Sequence, residues 1–285
     1  MNASLPIIYL LGAGRSGTTL LATILNSHPH IHTLGEMHQF LDYYRNNKPC
    51  ACGQPLDGCE FWAPIVSALN KMKPWSQEEQ DYIAKCENHA QIPRLLLFRK
   101  PNLKYLQSQE TIFQIIFRHL PAPMALDSSK YLARYILLSR SRGLELKGIY
   151  LVRDVRGVIH SFSKRVQTQR SAWSSIIYYL LINTFAEILY RLDRKIIKIR
   201  YEDLMQDPQS QVDGIYRHLF KNDQGRAGMS KNMEIPHIVG GNRMKRESRI
   251  QIRYDDAWKR NQKRWKQIVY YFVAWPIMLL NRYKL

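Results

Sequence analysis

A chain of 285 residues with 45% hydrophobic content can bury one substantial core, and no internal repeat or long linker divides it into two. With 42 Lys and Arg against 23 Asp and Glu the net charge is +19, which calls for an anionic partner: nucleic acid, a phosphorylated ligand, a polyanionic substrate or lipid headgroups. The longest apolar run, Ile268 to Leu280, falls short of the roughly 20 residues of a spanning helix and contains Pro276. The N-terminus shows no basic segment followed by a cleavable apolar one, so a cytoplasmic protein with reduced cysteines is expected.

Strand-length apolar runs alternate with helix-length segments. Ile7 to Leu11 precedes Thr18 to Asn26; Met124 to Leu126 precedes Tyr131 to Arg142; Gly148 to Val152 precedes Val155 to Lys164. A long helical stretch, Ala172 to Arg194, leads to the strand-like Lys195 to Arg200, and Asp207-Pro208 opens an amphipathic helix through Phe220. This alternation predicts βαβ units around a parallel sheet in one α/β domain spanning residues 1–285. The segments Asp42 to Pro64 and Asn222 to Arg249 lack periodicity and read as loops or caps over the sheet.

The strongest local signal is Gly12-Ala13-Gly14-Arg15-Ser16-Gly17-Thr18-Thr19, between the first strand and the first helix. Backbone N–H groups in that context hold phosphate. The glycine spacing is that of a Walker A loop, yet Thr18 stands where a nucleotide triphosphatase needs lysine, which argues against ATP or GTP hydrolysis. A plain glycine turn is the alternative.

Arg15 to Leu20, His28-Pro29 and Gly35-Glu36, in that order, resemble the family of sulfotransferases that use 3'-phosphoadenosine 5'-phosphosulfate (PAPS). The likeness is to the branch with tyrosylprotein and bacterial carbohydrate enzymes. Val152-Arg153-Asp154 with Ser161, Arg200 to Leu204 with Asp207-Pro208, and His237 to Lys245 continue the resemblance to about Trp258. It implies a P-loop-type three-layer sandwich with a central parallel sheet. By the same resemblance Gly14, Arg15, Ser16, Gly17, Thr18 and Thr19 hold the 5' end of the donor, and Arg153, Ser161 and Arg165 its 3'-phosphate. Tyr201, Asn242 and Lys245 complete the nucleotide site. In a helix, Ser161 and Arg165 are four apart and share a face, so hydroxyl and guanidinium can converge on one phosphate. A local ion-pair cluster of Arg153, Asp154 and Arg156 is the rival reading.

Sulfuryl transfer needs an in-line acceptor, cations on the equatorial and leaving oxygens, and a group that takes the acceptor proton. Glu36 is the expected base, Arg15 and Lys130 the expected catalytic cations, and no metal is required. His32 and His38 are rivals for the base. Lys130 could instead be an exposed first-turn residue of the next helix. The expected acceptor is a hydroxyl of a saccharide, glycolipid or polysaccharide; protein tyrosine or a phenol is the alternative within the class, and a P-loop small-molecule kinase the alternative outside it. A non-catalytic RNA binder would explain the charge but leave the loop unused, so nucleic acid is not an expected partner.

Cys50, Cys52 and Cys59 lie within ten residues, and Cys86 stands apart. A zinc clip completed by His38 or another residue, a disulfide or redox pair, and unlinked thiols all remain open. From Asn242 to Leu285 twelve Lys or Arg face three acids. In the basic and aromatic segment 259–285, Lys259 to Lys266 precede Tyr270, Tyr271, Phe272 and Trp275. Such a segment either touches the inner face of the cell membrane or packs on the domain while guiding an anionic glycan.

Overall fold

The computed structural model describes residues 4–72, 75–164, 170–220, 233, 236–241, 252 and 254–285. Its strands are β1 (Leu5–Leu11), β2 (Ile31–Gly35), β3 (Met124–Asp127), β4 (Leu144–Val152) and β5 (Ile196–Arg200). They form one sheet, every pairing parallel, in the order β2-β3-β1-β4-β5. Parallel neighbours need crossovers, and the helices supply them. They begin with α1 (Thr18–Asn26), α2 (Phe40–Arg45), α3 (Trp62–Met72), α4 (Gln77–Glu87), α5 (Ile92–Leu97), α6 (Leu103–His119) and α7 (Leu132–Leu138). The series continues with α8 (Val155–Ser163), α9 (Ala172–Leu192), α10 (Tyr201–Gln206), α11 (Pro208–Leu219), α12 (Ala257–Asn261), α13 (Arg264–Val273) and α14 (Trp275–Leu280).

Side chains of a strand alternate between faces, and β1 shows what that does here. Ile7, Tyr9 and Leu11 enter one buried cluster with residues of α3, α6, α7, α8 and α9; Ile8 and Leu10 enter the other, with α1 and α11. The molecule is therefore a three-layer sandwich with a central parallel sheet, as expected. β1 carries a core on both faces, which is why it reads as an unbroken apolar run.

One expectation needs correction. The segment Asp42 to Pro64 is not one loop: α2 occupies its start, a 3₁₀ turn Leu56–Gly58 its middle, and α3 begins at Trp62. Leu56, Trp62, Ile65 and Leu69 are buried, anchoring the segment to the core. The C-terminal segment folds as three short helices, and Pro276, which has no N–H to donate, sits in the first turn of α14 and separates it from α13.

Candidate active site

In an open α/β sheet the ligand crevice lies beyond the carboxyl ends of the strands, where strand order reverses. Each strand here delivers a residue of interest at that end. The glycine loop follows β1, Glu36 follows β2, Lys130 follows β3, Arg153 follows β4 and Tyr201 follows β5. Sequence distance is thereby converted into proximity.

The loop is shaped for close approach. Gly17, at φ +94°, opens α1, and a Cβ there would sit 2.7 Å from the Tyr201 ring. Arg15 takes φ +70°, a left-handed conformation that a non-glycine residue holds at a cost of about 1–3 kcal/mol. Among the described residues no side chain caps α1, so the N–H groups of its first turn can serve a ligand. Ser16 is buried, and its Oγ has no hydrogen-bond partner among the described residues. A buried orphan hydroxyl beside Arg15 and an uncapped helix start is the donor set that suits a phosphate.

Glu36 and Lys130 meet across the cleft as an ion pair, with side chains 14% and 15% exposed. Gln39 Nε2 donates to Glu36 Oε2 at 2.7 Å. Burial by itself would raise the Glu36 carboxyl, but Lys130, His38 and the two hydrogen bonds outweigh it and hold the group below the usual carboxylate range. Glu36 is therefore ionised at neutral pH. Lys130 is not an exposed first-turn residue: α7 starts only at Leu132, and Lys130 sits at φ +65° in the turn before it. That turn rests on a buried network. Asp127 receives the Ser129 N–H at 2.9 Å and Arg134 Nε at 3.0 Å, and Arg134 reaches Glu87 at 2.5 Å and Gln109 at 2.8 Å. Burial holds both rival histidines, His32 and His38, at about 4, so they are neutral at pH 7.

Arg15, Thr18, Thr19, Glu36, Lys130 and Gly241 line one cleft of about 510 Å³, within the ~300–1,000 Å³ usual for small-molecule sites. Gly14, Gly17, Gln39, Phe162, Arg170 and Tyr178 complete the wall. Four of these were not legible in the sequence. Gln39 orients Glu36; the Arg170 guanidinium lies 4.6 Å from the Tyr178 ring and 5.4 Å from the Phe162 ring; and Tyr178 receives the Gly14 N–H at 3.0 Å. Only the helix start at Ser171, just after Arg170, is a sequence cue to this wall. A second cleft of about 530 Å³, lined by Tyr82, Cys86, Leu95, Phe98, Leu137 and Arg140 among others, has no carboxylate and no strand-end residue among the described residues that line it. Its size alone does not make it the reaction site.

Arg153 is nearly buried and joins the two halves of the nucleotide region. It donates to the Arg15 carbonyl at 3.1 Å and to the Asp255 carbonyl at 2.8 Å, and stands 4.2 Å over the Tyr201 ring. The rival ion-pair cluster forms without it: Arg156 pairs with Asp154 at 2.7 Å, whereas Arg153 and Lys164 approach Asp255 at 3.5 and 3.3 Å. Ser161 lies one turn beyond Gly157, where a Cβ would come within 3.0 Å of Arg153 Nε. Arg165, Asn242 and Lys245 lie outside the described residues.

A phosphate-shaped loop, a basic wall and an ionised carboxylate at a parallel sheet's carboxyl edge define a group transferase of P-loop type. The family model described as "Sulfotransferase family" matches residues 6–53 and 145–220, blocks that contain the loop, Glu36, Arg153, Ser161 and Tyr201. Across these two blocks the chain is similar to that family, which supports a sulfotransferase. Among solved structures it is similar to the sulfotransferase domain from the curacin biosynthetic pathway, with TM-score 0.58 and 20% identity over 99% of this chain and 100% of that one. Retinol dehydratase in complex with retinol and PAP aligns with TM-score 0.40 and 14% identity over 98% of this chain and 82% of that one. A search of curated proteins finds no match.

Proposed function

We propose that this chain is a sulfotransferase that moves the sulfuryl group of PAPS onto a hydroxyl of a membrane-borne saccharide or glycolipid, with Glu36 as general base. The observation that carries the reading is the ionised Glu36 facing Lys130 and Arg15 in the cleft of the phosphate loop. PAPS supplies the activated sulfuryl group and, after transfer, leaves as adenosine 3',5'-bisphosphate. The loop from Gly14 to Thr19 would hold its 5' end, and Arg153 with Ser161 its 3'-phosphate. Glu36 takes the acceptor proton as the hydroxyl oxygen bonds to sulfur. Protonation removes the charge that engaged Lys130, so the ammonium is left free to neutralise the departing oxygen. No metal is needed for these steps.

An acceptor at a membrane is supported by the surface. Helix α9 is long and apolar enough to cross a bilayer, yet Ile176, Tyr179, Ile182 and Ala186 are buried in the core, which makes it a packed helix with an exposed stripe of Trp173, Ile177, Leu181, Ile188 and Leu192. Helix α14 lies against it and adds Trp275, Leu279 and Leu280, while Lys259, Arg260, Lys263 and Lys266 flank the patch in sequence. Apolar and aromatic groups beside cations suit an anionic cytoplasmic leaflet. Transfer of labelled sulfate from PAPS to a panel of glycans, glycolipids, phenols and peptides tests the reaction, and flotation with anionic vesicles tests the location. Transfer confined to phenols or peptides would overturn the acceptor. Tighter binding of ATP than of adenosine 3',5'-bisphosphate would overturn the donor.

A further inference from the structure

The cysteine segment folds as a tight hairpin. Pro49 and Pro55 bridge its arms, Cys50 N–H donates to the Gln54 carbonyl at 2.9 Å, and the Gly53 N–H turns back to the Cys50 carbonyl at 3.0 Å. Cys59 leaves the following 3₁₀ turn just before α3. From almost 180 residues further along, His237 arrives beside them: its Nδ1 lies 3.2 Å from Cys59 Sγ and 4.0 Å from Cys50 Sγ, and Cys52 Sγ lies 3.7 Å from Cys59 Sγ. All four donor atoms fall within 4.8 Å of one another. His38, the ligand considered from sequence, is elsewhere, stacked on Tyr131 at 4.1 Å.

We propose that Cys50, Cys52, Cys59 and His237 bind a structural zinc ion that staples the hairpin to the segment beside Glu36. With Zn–S about 2.3 Å and Zn–N about 2.05 Å, a tetrahedron has S···S edges of about 3.8 Å and S···N edges of about 3.6 Å. The Cys52–Cys59 separation of 3.7 Å meets the first, and the two thiol–imidazole separations of 3.2 and 4.0 Å bracket the second. Three thiolates and an imidazole are a soft, tetrahedral donor set, and four protein ligands leave no open position, which makes the site structural rather than catalytic. Backbone N–H groups of Phe61 and Trp62 bond Cys59 Sγ, and that of Cys52 bonds Cys50 Sγ. Cys50 and Cys59 are buried while Cys52 is exposed, so the ion would enter from the Cys52 side.

The staple has a defined place in the fold. Trp62 Nε1 donates to the His237 carbonyl at 3.0 Å and Ala51 N–H to the Ile238 carbonyl at 3.2 Å. Val239 N–H then donates to the Leu34 carbonyl at 3.0 Å, and Glu36 N–H to the Val239 carbonyl at 2.8 Å, so Val239, two residues after His237, bridges to the sheet beside the residue that carries the carboxylate. Gly35, at φ +87°, permits this approach: a Cβ would strike the Val239 carbonyl oxygen at 2.2 Å.

Metal content decides the matter without any sulfate assay, so it stands apart from the proposed reaction. Protein isolated under reducing conditions without added metal is expected to hold about one zinc per chain by elemental analysis. Cobalt replacement should give the charge-transfer and visible bands of tetrahedral thiolate cobalt. Cys52→Ser changes an exposed thiol and spares the core; in competition with a chromophoric chelator it should weaken zinc by more than the ~10–100-fold typical of an outer-shell loss, whereas Cys86→Ser should change nothing. Zinc near zero after reconstitution of the reduced protein, unchanged zinc affinity in Cys52→Ser, or a Cys52–Cys59 disulfide in freshly isolated protein would each overturn the site.

Discussion

Glu36→Gln isolates the proton transfer. Glutamine keeps the shape and one carbonyl oxygen to accept from Lys130, and Gln39 can turn its own amide to receive the new N–H, so both contacts of the carboxylate are retained in kind. What is lost is basicity. A positioned general base contributes roughly 10² to 10⁴, equivalent to about 2.7–5.4 kcal/mol at 1.36 kcal/mol per decade, and the whole of it should appear in turnover. Donor binding should stay within severalfold of wild type, because Glu36 repels rather than attracts a phosphosulfate and its neutralisation removes no attraction. The assay pairs initial rates of labelled-sulfate transfer with calorimetric binding of adenosine 3',5'-bisphosphate. A variant that keeps more than a tenth of wild-type turnover would refute the assignment. Inactivity of His38→Ala alongside it would move the role to the histidine, which burial keeps neutral at pH 7.

Since Glu36 is held below the ordinary carboxylate range, it is deprotonated through neutral pH and gains a proton only in acid; the acid limb of kcat/KM should lie below about 4.5, and a limb near 6.5 would contradict this. Arg153→Ala should weaken adenosine 3',5'-bisphosphate by about 10- to 150-fold, the equivalent of 1.5–3 kcal/mol for a charged hydrogen bond, and adenosine 5'-phosphosulfate far less; equal losses in calorimetry would reject the 3'-phosphate role. Gly17→Ala forces a Cβ to 2.7 Å from the Tyr201 ring at φ +94° and should abolish donor binding while leaving the far-ultraviolet circular dichroism unchanged. Arg134→Met leaves Glu87 and Asp127 buried without their cation, and chemical denaturation should show a loss of about 3–5 kcal/mol.

The sequence by itself determined the α/β class, four of the five strands and the loop after β1. Those features are local: an apolar run with core on both faces, a glycine at positive φ and an uncapped helix start all leave their mark within ten residues. It also singled out Glu36 and Lys130, through resemblance. Only the tertiary structure decided that they form one pair, because β2 and β3 are neighbours in the sheet although the residues are 94 apart in the chain. The same holds for the segment from Trp62 to His119, where no element was read. Its helices bury narrow stripes among many polar residues, and two of them, α4 with Glu87 and α6 with Gln109, join Arg134 of α7 in the network that braces the Lys130 turn. His237 makes the point most sharply: nothing in the sequence ties it to the cysteines, and it meets Cys50 and Cys59 because Val239, two residues on, pairs with Gly35 of β2. Sequence patterns report the periodicity a residue needs to fold with its neighbours, whereas convergence at a site depends on strand order and crossovers, which no local pattern encodes.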